Sequence, residues 1–378
     1  MGRVSRVGDL PVLHLRGSPY DMGYQHGSLL RGQVRASLAN AMAFANRQIG
    51  VPGVGRWMVR RRLDRAWRQM EPFIPARYLE EMEGLADGAE IPLKVLQRVH
   101  AIPDMTSVTC ASAAASGSAT REGRMIHIRN LDWAIQSDVQ RYAALFVHHP
   151  AGQHAFVNVG WLGFIGVISG VSDRGISVGE IGAETQDAGL NGVPMPFLQR
   201  RVLEEADDLR EAVSVVCDSA RTVGYNYLFA DALNSQAVAL ETTRTHCSVF
   251  WMDAEPEIPF AVRVPNMILR SDFSVDAEVR AKQLAAKGNP SKPGLESPLG
   301  SSAYDVRYWG QGLLLQKFHG SIDPEVAMAI AGSIAPSSNM QSIVTAYPQM
   351  WVATAQGRRP AAQGPYQEVD LEALLNSF

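Results

Sequence analysis

Residues 109–133 read TCASAAASGSATREGRMIHIRNLDW. Cys110 opens a run of small residues, and a Glu-Gly turn separates this run from a second one that ends in Arg129-Asn-Leu-Asp132. Two such runs on either side of a short glycine-containing turn predict a β-hairpin. The end of the second strand of a hairpin lies beside the start of the first. We therefore expect Arg129 and Asp132 to lie close to Cys110.

The pattern of apolar residues changes at this hairpin. Before it, apolar residues recur at helical spacing over 18–47, and this segment begins with Ser-Pro, a typical helix start. After it, short alternating runs separated by turn residues are typical of an antiparallel sheet. A long amphipathic pattern then predicts one helix over 195–221, and a further strand is expected at 260–264.

The order of the predicted elements is helices, strands, a helix, strands, helices and strands. Two stacked antiparallel sheets with helices outside satisfy this order, so the predicted fold class is α+β. No linker is long enough to separate domains, and residues 1–378 are expected to form a single domain.

Composition argues against several classes of protein. The chain has 378 residues, 46% of them hydrophobic, and a formal net charge of -3. A nucleic acid is therefore not an expected partner. The sequence has no run of 18 apolar residues and does not open with a signal-peptide pattern, so we expect no membrane span and a cytoplasmic location.

The densest positive run lies between Arg56 and Arg68, where six arginines occur at helical spacing with Trp57. We interpret this run as the solvated face of a helix. A patch that binds anions or a membrane is the alternative interpretation.

Three cysteines are present, Cys110, Cys217 and Cys247, and none is close to another in the sequence. We therefore expect neither a disulfide framework nor a zinc site. Cys217 lies on the apolar stripe of the predicted helix over 195–221, so it is expected to be a core residue. The nine histidines are scattered, and we expect neither a metal nor a cofactor.

Common catalytic signatures do not occur: the sequence has no Gly-x-Ser-x-Gly, Walker A, Gly-x-Gly-x-x-Gly or His-Glu-x-x-His motif. The hairpin remains. A cysteine, a strand of small residues, a glycine turn and Arg-Asn-x-Asp-Trp together resemble the penicillin acyltransferase family, which includes acyl-coenzyme A:6-aminopenicillanic acid acyltransferase. This family is more distantly similar to the choloylglycine hydrolases and acid ceramidase. The resemblance covers nearly the whole chain, and its further segments are 17–27, 172–178, 227–241 and 350–353.

The resemblance implies the Ntn-hydrolase fold, an αββα sandwich of two antiparallel sheets flanked by helices. Such proteins cut themselves so that the catalytic residue becomes an N-terminus. Here the cut would fall between Thr109 and Cys110. It would leave a helical fragment, 1–109, as the partner of fragment 110–378.

The resemblance also implies roles for individual residues. The Cys110 thiol would attack the acyl carbon, and the freed α-amine, with a pKa of about 7.7–8.0, would carry the proton. Arg129 would stabilise the thiolate, and Asp132 would orient the α-ammonium. Arg307 resembles a late arginine of the family that supports the site.

Two asparagines compete for the role of oxyanion donor. Asn266 is favoured because it sits where the family carries Thr-Asn after a strand, and Asn226 is the rival. Glu180 and Trp133 are expected to line the substrate pocket.

These residues leave three functions open. The first is hydrolysis of a small N-acyl amide through a thioester on Cys110. The second is transfer of an acyl group from a thioester such as acyl-coenzyme A to an amine, which differs only in the group that attacks the thioester. The third is a binding protein that keeps the fold without activity. The sequence does not indicate the oligomeric state.

Overall fold

The computed structural model describes residues 2–49, 55–106, 109–253, 261–272, 274–283, 303–355 and 360–377, with the backbone alone for 303–306. Its helices are α1 (Pro19–Leu29), α2 (Arg31–Gln48), α3 (Arg56–Met70), α4 (Ala76–Ala89), α5 (Leu93–His100), α6 (Met195–Glu205), α7 (Leu209–Cys217), α8 (Ala277–Lys282), α9 (Ala303–Lys317), α10 (Pro324–Ile334) and α11 (Leu371–Leu375). None of these helices is long and apolar enough to cross a membrane in the part of the chain that the structure describes.

The strands are β1 (Arg3–Val7), β2 (Leu10–Gly17), β3 (Thr109–Ala115), β4 (Ile126–Asp132), β5 (Ala143–Pro150), β6 (Phe156–Trp161), β7 (Ser169–Ser172), β8 (Ile176–Gly182), β9 (Tyr225–Asp231), β10 (Gln236–Thr242), β11 (Cys247–Trp251), β12 (Met267–Arg270), β13 (Asn339–Ala346), β14 (Gln349–Thr354) and β15 (Gln367–Asp370). They form two sheets. The larger sheet has the order β1-β2-β5-β6-β7-β8-β9-β10-β11, and the smaller has the order β12-β3-β4-β13-β14-β15. Two sheets with helices packed against them confirm the predicted α+β class and the αββα sandwich.

The predicted hairpin is present in the smaller sheet. β3 pairs with β4 in antiparallel register, so that Thr109 lies opposite Asp132 and Cys110 lies opposite Leu131. The run of small residues lets β3 lie between β12 and β4 with β8 of the larger sheet packed across it. The start of β3 is therefore enclosed between the two sheets.

The sequence pattern did not predict the two strands at the N-terminus. β1 and β2 form a hairpin with Gly8 at its turn, where φ is 53°, and the hairpin lies at the edge of the larger sheet. β2 pairs with β5 in parallel, with Val12 opposite Leu145. The sheets were predicted to be antiparallel, and this pair departs from that prediction. The residues before Thr109 thus contribute strands as well as helices.

Helices α1 and α4 cross with their backbones in contact. A Cβ atom on Gly23 would overlap the carbonyl oxygen of Glu81, and one on Gly84 would overlap the carbonyl oxygen of Tyr20. Glycine is therefore required at this crossing. The predicted helix start is confirmed, because Ser18 and the third residue after it form a capping box at the N-terminus of α1.

The stretch predicted as one helix over 195–221 is two helices, α6 and α7. Ala206 takes an extended conformation after α6, and Asp208 begins α7 by accepting hydrogen bonds from the backbone N–H groups of Arg210 and Glu211. Both helices pack against the larger sheet, α6 on β8 and α7 on β9 and β10. The apolar periodicity continues across the break, so the sequence pattern does not reveal that there are two helices.

The expectations for Cys217 and Cys247 were wrong. The two residues form a disulfide, with Cα atoms 5.6 Å apart and a separation of 30 positions in the sequence. α7 packs against β10, the neighbour of β11, so the fold brings together residues that the sequence separates. Both are half-buried, so Cys217 is not a core residue. Cys110 is buried and free.

The disulfide determines how many thiols react in the unfolded protein. In denaturant without reductant we expect one thiol per chain to react with a chromogenic thiol reagent, because Cys217 and Cys247 are oxidised. After reduction we expect three. In a Cys110→Ala control each count should fall by one. Three reactive thiols in the unreduced wild type would show that the disulfide does not form.

His127 of β4 is buried between the two sheets. Its Nε2 is 2.8 Å from the Ser112 hydroxyl, and its Nδ1 is 2.7 Å from the Ser177 hydroxyl. Burial lowers the pKa of His127 to about 3, and Arg129 adds to this effect. The imidazole is therefore neutral in the folded protein at pH values where the unfolded chain takes up a proton.

This shift makes the folded state less stable in acid. The unfolded chain protonates His127 below its ordinary pKa of 6.5, whereas the folded chain does so only near 3, so the free energy of unfolding falls as the pH drops between these values. Between pH 6.5 and pH 5 we expect wild type to lose about 2 kcal/mol more than a His127→Gln variant. Urea unfolding at both pH values measures the difference. The exposed His319→Gln is the control and should behave like wild type. An equal loss in wild type and His127→Gln would contradict the assignment.

Candidate active site

Cys110 lies at the start of β3, in the space between the two sheets. Its side chain is buried, with 0% of its surface exposed. Its Sγ is 3.9 Å from each carboxylate oxygen of Glu180, which extends from β8 of the facing sheet. Glu180, which is predicted to line the pocket, therefore also contacts the thiol itself.

Arg129 of β4 lies beside the same thiol and is paired with Glu180. Its Nη2 donates to Oε1 of Glu180 at 2.8 Å, and its Nη1 donates to the backbone oxygen of Asn130 at 2.8 Å. Both members of the ion pair are buried, with 2% and 0% of their side chains exposed. A charge buried to this degree is stable only when it is paired and hydrogen-bonded.

Opposing effects act on the pKa of the Cys110 thiol. Burial raises this pKa well above its ordinary value, and the carboxylates of Glu180 and Asp132 raise it further. The Arg129 guanidinium and the backbone N–H of Asp132 lower it. Burial dominates in the intact chain, so the thiol is neutral there. Arg129 is the cation placed to stabilise a thiolate.

Asp272 is a site residue that the sequence analysis missed. It follows β12, and its Oδ1 accepts a hydrogen bond from the backbone N–H of Cys110 at 2.6 Å. A cut before Cys110 would convert this nitrogen into the α-amine. In the structure, the carboxylate that binds the nitrogen belongs to Asp272 and not to Asp132. Burial raises the pKa of Asp272 to about 7, against the effects of Arg307 and the Cys110 N–H.

Arg307 of α9 joins the two aspartates. Its Nη2 donates to Oδ2 of Asp132 at 2.5 Å, and its Nη1 donates to Oδ2 of Asp272 at 3.1 Å. The other carboxylate oxygen of Asp132 accepts a hydrogen bond from Nδ2 of Asn339 at 2.8 Å. The structure thus connects the backbone nitrogen of Cys110 to Asp132 through Asp272 and Arg307.

Asn266 lies far from this cluster. Its backbone oxygen accepts a hydrogen bond from the N–H of Ser116, at the other end of β3 from Cys110. Six residues of extended strand place the two ends about 20 Å apart. The strand expected at 260–264 does not form at 261–264, and β12 begins one residue after Asn266. Asn266 therefore precedes a strand instead of following one, and Asp272 lies two residues after the end of β12.

Asn226, the rival asparagine, lies at the same end of the sheets as Cys110. It pairs with Ile181 across β8 and β9, one position after Glu180. Its Nδ2 donates to the backbone oxygen of Ser271 at 3.2 Å, and its Oδ1 accepts from the Ser274 hydroxyl at 2.9 Å. It thus binds the segment that carries Asp272.

An apolar cavity lies next to Glu180, whose carboxylate contacts the Cys110 thiol. Glu180 and Leu131, the residue opposite Cys110, form the part of the wall nearest to it. Trp133 forms another part of the wall and packs edge-on against Phe44, with 4.9 Å between the ring centroids. Of the described residues around the cavity, Glu180 alone is charged, and the others are Ser37, Leu38, Ala41, Val99, Ile102, Pro103, Val139, Trp161, Leu162, Gly163, Phe164, Ile168 and Met195.

Two histidines hold the loop that forms one wall of this cavity. The N–H of Gly163 donates to Nε2 of His26 at 2.9 Å, and the N–H of Ile165 donates to Nε2 of His100 at 3.0 Å. The Nδ1 of His100 lies 2.8 Å from the carbonyl oxygen of Leu96, which can only accept, so this ring is neutral with its proton on Nδ1. Burial lowers the pKa of His26 to about 3 and that of His100 to about 4. Both histidines precede the central hairpin in the sequence, whereas the loop follows it.

Several known proteins are similar to this chain. The family model of acyl-coenzyme A:6-aminopenicillanic acid acyl-transferase matches residues 119–255. Protein dcd1B of Dictyostelium discoideum is 29% identical over 298 residues, which are 72% of this chain and 58% of dcd1B. The N-acylethanolamine-hydrolyzing acid amidase of Rattus norvegicus is 23% identical over 195 residues, which are 49% of this chain and 52% of that protein. The solved structure of the Caenorhabditis elegans ortholog of that amidase has a TM-score of 0.45 and 15% identity, over 63% of this chain and 92% of that one.

The family model matches residues 119–255 of this chain, a segment that begins in the central hairpin and ends after β11. The predicted resemblance to the penicillin acyltransferase family is confirmed by this match. The matched segment includes Arg129, Asp132, Glu180 and Asn226 and begins after Cys110. The chain spans less than two thirds of the length of dcd1B and of the rat amidase.

The position of Arg129 predicts the effect of a substitution in the facing strand. A Cβ atom on Gly179 of β8 would lie 2.8 Å from Cδ of Arg129, in a buried region where the side chain is already held by Glu180. We expect Gly179→Ala to displace the guanidinium and so raise the pKa of the Cys110 thiol, because Arg129 is the cation that lowers it. The pH dependence of Cys110 alkylation by iodoacetamide in the folded protein measures this pKa.

A matched glycine substitution controls for this measurement. A Cβ atom on Gly32 of α2 would meet nothing within 4 Å, so Gly32→Ala should leave the alkylation profile unchanged. Identical profiles for Gly179→Ala and Gly32→Ala would show that Arg129 does not set the pKa of the thiol.

Proposed function

We propose that the chain is an autoproteolytic amidohydrolase that uses the N-terminal cysteine of fragment 110–378 to hydrolyse N-acyl amides with an apolar acyl group. One observation carries the proposal. The buried Cys110 has its thiol beside Arg129 and beside Glu180, which lines an apolar cavity, and its backbone nitrogen is bound to the carboxylate of Asp272.

The proposed cut falls between Thr109 and Cys110. The thiol adds to the carbonyl carbon of Thr109, and the C–N bond breaks as the nitrogen takes up a proton. A thioester links the two residues at this stage. Water then hydrolyses the thioester, which releases the carboxylate of Thr109 and restores the thiol. Asp272, which accepts a hydrogen bond from this nitrogen in the intact chain, is in place to hold the ammonium that the cut creates.

The same thiol then acts on a substrate. The α-amine of Cys110 accepts the thiol proton, the thiolate attacks the acyl carbon, and the α-ammonium returns the proton to the departing amine. Water hydrolyses the resulting thioester to a carboxylic acid. Asp272 orients the α-amine in this scheme, and Arg307 holds Asp272 and Asp132 in place. Asn226, at the same end of the sheets, is the proposed oxyanion donor.

The cavity supports the choice of acyl group. Its lining is apolar except for Glu180 and Ser37, and helices α2 and α5 form part of its wall. A site of this kind favours a hydrocarbon chain over a polar acyl group, because each buried CH₂ contributes about 0.8 kcal/mol. The similarity to an amidase named for N-acylethanolamine hydrolysis supports the same class of substrate. Because α2 and α5 belong to fragment 1–109, that fragment is proposed to stay bound after the cut.

Acyl transfer to an amine is the second candidate, because the matched family is described as an acyltransferase. The two reactions share the thioester on Cys110 and differ in whether water or an amine attacks it. Product analysis with an added primary amine separates them: an N-acyl product in place of the free acid would make the chain a transferase.

The proposed mechanism predicts the mass of the purified protein. Under denaturing conditions, wild type should give two chains, 1–109 and 110–378. Cys110→Ala should give one uncut chain and no hydrolysis of long-chain N-acyl amides, because both reactions need the thiol. Intact mass spectrometry and release of the free acid are the measurements.

The neighbouring Ser112→Ala is the control for the strand, since this hydroxyl bonds to His127 and not to the thiol. It should be cut and active. Cleavage that persists in Cys110→Ala would remove Cys110 from the mechanism. A cut wild type that hydrolyses short-chain amides faster than long-chain ones would contradict the proposed acyl site.

A further inference from the structure

Helices α2 and α5, which form part of the cavity wall, and α3, which packs against them, carry the densest positive charge of the chain. Lysine and arginine number three in α2, six in α3 and two in α5, and Asp64 is the one acidic residue of these three helices. The whole chain has a net charge of -3, so this layer has the opposite sign to the rest. Asp64 accepts hydrogen bonds from Arg98 at 2.7 Å and 2.9 Å, which compensates its charge within the layer.

One face of α3 is exposed and basic, and the other is buried and apolar. All six arginines are exposed, whereas Val59, Leu63 and Trp67 pack into the core. Among the described residues, the ion pairs of this layer are Arg98 with Asp64 and two pairs to Glu90 from α2, and none involves an arginine of α3. The positive charge of this face is therefore available to an anionic partner.

An aromatic residue lies on the same face. Trp57, in the first turn of α3, has 56% of its surface exposed, and the guanidinium of Arg61 lies 5.6 Å from the centre of its ring. An exposed indole among arginines suits the headgroup layer of a bilayer, because tryptophan is enriched at membrane–water interfaces and arginine is attracted to anionic lipids. A nucleic acid duplex would offer phosphates to the arginines but no apolar layer for the indole.

We infer that the exposed face of α3 docks the protein on a bilayer that contains anionic lipids. Arginines near such a surface are attracted by its negative potential, and Trp57 enters the headgroup layer. α3 packs against α5, which contributes Val99 to the wall of the cavity. A docked protein would thus hold the cavity next to the source of apolar acyl chains. This benefit rests on the proposed function, whereas the docking itself does not.

Sedimentation with lipid vesicles tests the docking. We expect the full chain to bind vesicles of phosphatidylcholine and phosphatidylserine, to bind vesicles of phosphatidylcholine alone at least about tenfold more weakly, and to dissociate as the salt concentration rises. Arg60→Glu combined with Arg61→Glu should lower binding to the anionic vesicles by about tenfold or more. Trp57→Ala should also weaken it. The control is Arg210→Glu, which reverses an exposed arginine on α7 and should bind like wild type.

Each outcome decides the inference. Equal binding by the double variant and wild type, or binding to duplex DNA without binding to anionic vesicles, would overturn it. Hydrolysis of a soluble short-chain amide should be equal in wild type and the double variant, which shows that the variant is folded. If wild type binds anionic vesicles but hydrolyses no amide, the proposed function fails and the docking stands.

Discussion

The pairing of buried charge is the constraint on which the site depends. Three carboxylates, of Glu180, Asp132 and Asp272, and two guanidinium groups, of Arg129 and Arg307, lie together where little water can reach. The intact chain is therefore one cation short at this site. Burial raises the pKa of Asp272, and the neighbouring carboxylates of Asp132 and Glu180 raise it further. A free α-ammonium at Cys110, hydrogen-bonded to Asp272, would supply the missing charge. The cut that creates the nucleophile would also bring the site to electrical balance.

The sequence predicted the parts of the site that depend on local pairing. The hairpin of β3 and β4 has its register set by residues close in the chain, so the nearness of Arg129 to Cys110 followed from spacing alone. Asp272 did not, because β12 has four residues and pairs with a strand about 150 residues earlier. Its shortness left no periodic signal, and the strand was expected too early in the sequence. With the strand expected at 260–264, Asn266 and not Asp272 became the polar residue expected after it.

Pairing between segments that are distant in the sequence also explains the other differences between the predicted and the observed structure. The bond between Cys217 and Cys247 and the parallel pairing of β2 with β5 both join segments that only the sheet order brings together. The cavity is also formed by segments that are distant in the sequence. Its wall combines α2 and α5 with a loop after β6, and His26 and His100 hold that loop through its backbone N–H groups. No periodicity within one segment encodes such a contact.

The hairpin of β1 and β2 makes completion of the larger sheet depend on residues from both sides of the proposed cut. Its strands share a hydrogen-bonded ladder with β5, so residues on both sides of the Thr109–Cys110 bond must be in place before the larger sheet is complete. The pocket around Cys110 is enclosed by that same sheet. The proposed self-cleavage would therefore begin only after the chain has folded. In a nascent or misfolded chain, Cys110 would not cut the bond before it. The architecture would serve as a checkpoint that delays activity until assembly has succeeded.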